Sequence, residues 1–313
     1  MKTLTLTSNA KVNLALDILG REQQAPQRHS LTARLGSPAH SLYHFIQTIF
    51  HEITPQNTHN FKPDLVTIRV EEAPSTATQN TPPSTPAPQI TILCEDPSVP
   101  TDKSNLAYKA AKLMIRQQLT WRGHHVVAGQ PVTITIEKHI PVSQGLGGGS
   151  SNAAATLRGL DKLFDLNLNL ATLKSLAAEI GMDVPFFIEG GIALGEHFGE
   201  QITPLPPVNG LAFTLFPGPP VPSPHANPGA EKTRLAYAAL DLSLCGKNTA
   251  KTEALIHAIK TNDALAIHPL LHNDFETLPE YTPTNVSTGV PTRSALPENH
   301  HLTGAGPGYF LVS

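Results

Sequence analysis

The sequence predicts an α+β protein of two domains. Three features carry that expectation: short runs with alternating apolar residues, helical apolar stripes between them, and a length of 313 residues, which suits one large or two ordinary domains. Strand-like runs are Leu4–Thr7, Val12–Ile18, Leu65–Val70 and Val132–Lys138, with Ile90–Leu93 as another candidate. Asn105 or Ser104 can cap a helix carrying Leu106, Ala110, Leu113 and Met114, and Leu170, Leu173, Leu176, Ala177 and Ile180 form a stripe ended by Gly181. The second half reads as a strand over Leu211–Phe216, helices near Glu231–Leu240, Lys251–Lys260 and Asp263–Leu271, and a last strand over Tyr309–Val312. The expected division is 1–204 and 205–313, with inserted loops near 21–40 and 73–89, the latter made of Pro, Ser, Thr, Ala, Gln and Asn that cannot support a core.

Composition narrows the class. Lys plus Arg is 22 against 25 Asp plus Glu, so a formal charge of −3 offers no basic field for nucleic acid, and any anion site must be local. Cys94 and Cys245 are too few for a disulfide framework, which suits a reducing compartment. The start, Met1-Lys2-Thr3-Leu4-Thr5-Leu6, alternates instead of forming a signal-peptide core, and no run approaches the ~20 apolar residues of a membrane span. A cytoplasmic chain, monomer or weak homodimer, without membrane or nucleic-acid partners, is expected.

The most informative segment is Gln144-Gly145-Leu146-Gly147-Gly148-Gly149-Ser150-Ser151-Asn152, set between the Val132–Lys138 strand and a helix carrying Ala153, Leu157, Leu160, Leu163 and Phe164. Glycines let backbone N–H groups approach an anion, the helix start adds orphan N–H groups and a positive dipole end, and Ser150 and Ser151 add hydroxyls. Gly148 is placed where a β-branched residue blocks access and disfavours positive φ. The loop lacks the Lys of a Walker A site, and the strand before it is not a short apolar first strand of a dinucleotide fold.

Pro141 to Ala154 resembles the P-x-x-x-G-L-G-G-G-S-S-N-A-A loop of the GHMP kinase superfamily. Four further segments resemble that superfamily in its order: Ala10-Lys11-Val12-Asn13-Leu14, Leu42-Tyr43-His44 through Phe50, Gly181-Met182-Asp183-Val184-Pro185, and Leu302-Thr303-Gly304-Ala305-Gly306-Pro307. The resemblance implies a two-domain GHMP kinase fold, with a ribosomal-protein-S5-like N-terminal and a ferredoxin-like C-terminal domain. Triple glycine and Tyr43-His44 imply the branch phosphorylating the 2-hydroxyl of 4-diphosphocytidyl-2-C-methylerythritol in the non-mevalonate isoprenoid route, rather than a mevalonate-, homoserine- or sugar-type alcohol. A catalytically silent metabolite-binding protein on the same fold is the rival from another class.

By the same resemblance, Lys138, Pro141, Gly145, Leu146, Gly147, Gly148, Gly149, Ser150 and Ser151 hold ATP, Lys138 near the nucleoside, and Ser150 or Ser151 faces Mg²⁺. Lys11 and Asp183 are the implied catalytic pair, Asp183 as general base that also touches substrate; without the resemblance, a cap is the lesser reading of Asp183 and an exposed strand lysine the ordinary one of Lys11. Asn13, on the same strand face as Lys11, is implied to bind substrate, and Tyr43 and His44 to form a pyrimidine pocket. The chain runs only from Pro307 to Ser313 after the last motif, so the final strand is expected to need protection at its edge.

Overall fold

The computed structural model describes residues 1–21, 43–71, 89–121, 130–218, 228–278 and 299–313. The expected insertions near 21–40 and 73–89 lie almost wholly outside them. The described residues form two compact units: Met1–Ser8, Pro63–His139 and Gly148–Ile188; and Asn9–Lys62, Ile140–Gly147 and Glu189–Ser313.

The first unit holds a sheet of order β1-β4-β6-β5, with β1 Lys2–Ser8, β4 Asp64–Val70, β5 Ile90–Cys94 and β6 Val132–Glu137. Strand β6 runs antiparallel to β4 and parallel to β5. Period-two alternation is visible directly: Val132, Ile134 and Ile136 are buried while Thr133, Thr135 and Glu137 are not. Helices α1 (Leu106–Trp121) and α2 (Gly148–Phe164) pack together, and α2 also lies against β1 and β4. Gly159 permits that approach, because a Cβ there would lie 2.4 Å from Ile68 Cδ1. Asn105 is the cap of α1, its Oδ1 accepting the Ala107 N–H at 2.8 Å. Asn169 caps α3 (Leu170–Ala178) in the same way, through the Thr172 N–H, and α4 (Phe186–Glu189) follows.

The second unit holds a five-stranded sheet, β10-β2-β3-β7-β8, and a three-stranded one, β11-β12-β9. Strand β2 (Ala10–Arg21) pairs antiparallel with β3 (His44–Ile53), with irregularities between Asn13 and Ala15 and between Ile18 and Gly20. Beyond β3 come β7 (Ile192–Glu196) and the edge strand β8 (Gln201–Leu205). On the other side the two-residue β10 (His272–Asn273) runs parallel to β2. Strand β12 (Tyr309–Val312) lies between β9 (Phe213–Phe216) and β11 (His301–Leu302), so the final strand is central and its pairing edges are occupied. Helices α5 (Pro228–Ala239), α6 (Thr249–Lys260) and α7 (Ala264–Ile267) complete the unit. Its core joins Val12, Leu14, Ile49, Leu146, Phe213 and Phe310, among others, all nearly inaccessible to solvent.

Candidate active site

Lys11 is not an exposed strand lysine. It is 3% exposed, and its ammonium donates to Asn13 Oδ1 at 2.7 Å from the same face of β2 and lies 5.4 Å from the Phe50 ring centroid. The Asn13 amide is itself fixed. Thr48 Oγ1 gives its only proton to the Ala15 carbonyl at 2.6 Å, so it must accept from Asn13 Nδ2 at 2.8 Å, which turns Oδ1 toward Lys11. The Gly304 N–H donates to the same Oδ1 at 3.0 Å. Asn13 therefore has one amide hydrogen left to offer a ligand, and its oxygen serves the lysine.

In the second unit, the Ile140–Gly147 part of the glycine loop meets the closing glycine motif. The Lys11 N–H donates to the Leu146 carbonyl at 2.9 Å, and the Thr303 hydroxyl donates to the Gly145 carbonyl at 2.8 Å. Gly145 has φ +82° and Gly147 φ +71°, the left-handed region where glycine is favoured. Lys232 on α5 donates to the carbonyls of Ser143 and Gly306, so a cation ties both glycine segments together. Pro141 opens the loop at the surface.

Gly148, Gly149, Ser150 and Ser151 form the first turn of α2 in the first unit. This corrects the expectation for Gly148: as a helical residue it has no positive φ, and the backbone argument belongs to Gly145 and Gly147. Ser8 Oγ is 2.7 Å from Asn152 Oδ1 and 2.8 Å from Ser151 Oγ. An amide oxygen only accepts, so Ser8 donates to Asn152 and Ser151 donates to Ser8, which leaves the Ser151 lone pairs as a neutral oxygen donor that fits Mg²⁺. Among the described residues, no group of three His, Cys, Asp or Glu side chains is arranged to hold a metal.

Asp183 occupies a turn between α3 and α4, where the Val184 N–H donates to the Gly181 carbonyl at 3.2 Å and Pro185 leads directly into α4, its carbonyl accepting the Ile188 N–H at 3.3 Å. Its side chain is half-buried. The Lys138 side chain is 6% exposed, its ammonium contacts Asp64 Oδ2 at 2.5 Å, and Asp64 Oδ1 accepts the His139 N–H at 2.7 Å. Burial lowers the Lys138 pKa, and the Asp64 carboxylate opposes that shift.

Tyr43 and His44 stand at the start of β3. The Tyr43 ring is 5.2 Å from Phe198, and Phe45, His197 and Phe198 continue the aromatic group. His44 stacks on Tyr237 of α5 at 4.6 Å and accepts the Arg21 Nε–H on its Nε2 at 2.9 Å. Burial, and then the Arg21 charge, lower its pKa to about 4. The ring is neutral at pH 7 with its proton on Nδ1, a single donor of defined position. Phe198, Arg21 and Tyr237 lie outside the motifs, and Thr48 lies inside one without a role assigned to it. Their contacts depend on pairing between distant segments.

Comparison with known proteins places this arrangement. Residues 105–191 match the family described as GHMP kinases N terminal domain, the class of small-molecule kinases to which the glycine loop and α+β fold correspond. The 4-diphosphocytidyl-2-C-methyl-D-erythritol kinase of Gloeobacter violaceus is 33% identical over 98% of this chain and 81% of its own. That of Thermosynechococcus vestitus is 41% identical over 72% of this chain and 71% of its own. A crystal structure of 4-(cytidine 5'-diphospho)-2C-methyl-D-erythritol kinase, 25% identical, superposes with a TM-score of 0.58 over 98% of this chain and 89% of that one. A homoserine kinase from Cytophaga hutchinsonii, 16% identical with a TM-score of 0.60, shares the fold. The chain belongs to the 4-diphosphocytidyl-2-C-methyl-D-erythritol kinase family.

Proposed function

We propose that this enzyme transfers the γ-phosphoryl group of ATP to the 2-hydroxyl of 4-diphosphocytidyl-2-C-methyl-D-erythritol, releasing ADP, in the cytosolic non-mevalonate isoprenoid route. The observation that carries the reading is the buried Lys11 ammonium, held by Asn13 beside two glycine segments, in a chain of this family. Phosphoryl transfer needs placement and charge neutralisation more than covalent help. The Gly145–Ser151 backbone receives the ATP phosphates, with Pro141 setting the loop's entry; Lys11 faces the transferred group; and Asp183 takes the proton of the attacking hydroxyl. Ser151 or Ser150 would hold Mg²⁺, which when bound would supply further charge neutralisation. Lys138, committed to Asp64, supports the strand that leads into the loop near the nucleoside.

On the substrate side, Tyr43 offers a face for the cytosine ring and His44 its Nδ1–H to a ring acceptor, while Asn13 has one amide hydrogen for the alcohol. Asp183→Asn lowers kcat by on the order of 10²-fold or more and leaves affinities within several-fold. Coupled ADP release with the cytidyl substrate, mevalonate, homoserine and galactose tests the whole. The cytidyl alcohol should have the highest kcat/KM by at least two orders of magnitude. A higher value for another alcohol, or no ADP release with any, overturns the reading.

A further inference from the structure

We infer that Asn273 is a positioning residue for this phosphoryl transfer: it clamps the Leu302–Gly304 turn so that the Gly304 N–H orients the Asn13 amide, and through it the Lys11 ammonium. The inference rests on Lys11 facing the transferred group. Asn273 is buried and fully engaged. Its Nδ2 hydrogens go to the Leu302 carbonyl at 3.0 Å and the Gly304 carbonyl at 2.8 Å, and its Oδ1 accepts the Phe275 N–H at 3.0 Å. The two carbonyls bracket Thr303, whose hydroxyl reaches the Gly145 carbonyl at 2.8 Å. One amide thus fixes a turn with two outputs, Thr303 toward the glycine loop and Gly304 toward Asn13.

The turn has little room to drift. A Cβ on Gly304, at φ +56°, would stand 3.2 Å from the Gly145 carbonyl oxygen and 3.4 Å from Lys11 Nζ. A strand of two residues cannot hold its own register, so β10 depends on its flanks. His272, paired with Ala15, contacts Asp17 Oδ2 at 3.1 Å through Nε2, and Asp274 Oδ2 accepts the N–H groups of Ile18 and Gly246, each at 2.7 Å. These anchors hold Asn273, paired with Leu16, on the face that meets the turn.

The test is Asn273→Ala and Asn273→Ser, each alone and combined with Lys11→Met. Asn273→Ala should lower kcat by roughly 10- to 100-fold, with KM for the cytidyl substrate within about threefold and any rise in KM for ATP, through the Thr303 contact with the glycine loop, smaller than the fall in kcat. Asn273→Ser keeps one donor and should lie between Ala and wild type, and it carries the test if the Ala variant does not fold. In the Lys11→Met background neither change should slow the residual rate further, as expected for residues acting through one another. A rise in KM at unchanged kcat, or losses that multiply in the combined variants, would overturn the inference. Normal turnover by Lys11→Met alone would instead sink the role of Lys11.

Discussion

Gly145 and Thr303 touch so closely that a Cβ on Gly145 would lie 1.8 Å from the Thr303 carbonyl oxygen. Gly145 also sits at φ +82°, so two independent constraints exclude any side chain there. Gly145→Ala should destabilise the fold by roughly 1–3 kcal/mol through backbone strain, with the steric conflict adding to it. It should also weaken ATP binding more than about tenfold, because the loop that presents N–H groups to phosphate must shift. Calorimetric titration into folded variant separates the effects, and unchanged ATP affinity reduces Gly145 to a turn glycine.

The aromatic group around Tyr43 predicts a selective defect. Tyr43→Ala removes a stacking face worth roughly 1–3 kcal/mol per base, so KM for the cytidyl substrate should rise while ATP binding stays nearly constant. Equal weakening of both ligands would mean that Tyr43 supports Phe198 and the 196–200 turn instead.

Asp64 and Lys138 form a buried pair, so removing one partner strands the other charge. Asp64→Ala should cost about 3–5 kcal/mol in denaturant unfolding, whereas Asp64→Leu with Lys138→Met should come close to wild type. A loss below ~1 kcal/mol for the single variant would show that water reaches the Lys138 ammonium.

Acid should unfold the protein partly through its histidines. Burial lowers the His51 pKa to about 4, a larger effect than the opposing hydrogen bond to the Glu52 carbonyl, and His44 is lowered to about 4 as well. Between these values and the ordinary ~6.5 the unfolded chain binds more protons than the folded one, so stability is full above ~6.5 and falls as pH drops toward 4. His51→Gln cannot titrate and should flatten the slope in that window. An unchanged slope would assign the acid sensitivity to other groups.

Much of this site was legible in advance because its signals are local. Lys11 and Asn13 share a face by strand periodicity, and the glycine loop announces itself at a helix start. What escaped depends on distant partners. Strands β7 and β8 carry Gly195 and Pro204, which weaken a strand signature, yet Pro204 is tolerated because β8 is an edge. Lys138 is legible as a candidate, but its contact with Asp64 becomes visible only once β4 pairs with β6. Asn273 lies in a two-residue strand that no periodicity marks, and only parallel pairing with Leu16 explains its position.

Phosphorus NMR of the products formed from ATP and 4-diphosphocytidyl-2-C-methyl-D-erythritol tests the central claim most directly. The account predicts one new phosphomonoester on the 2-hydroxyl for each ADP released, with no such signal from Asp183→Asn on the same timescale. ADP without a phosphorylated alcohol, or a phosphoryl group on another hydroxyl, would contradict it.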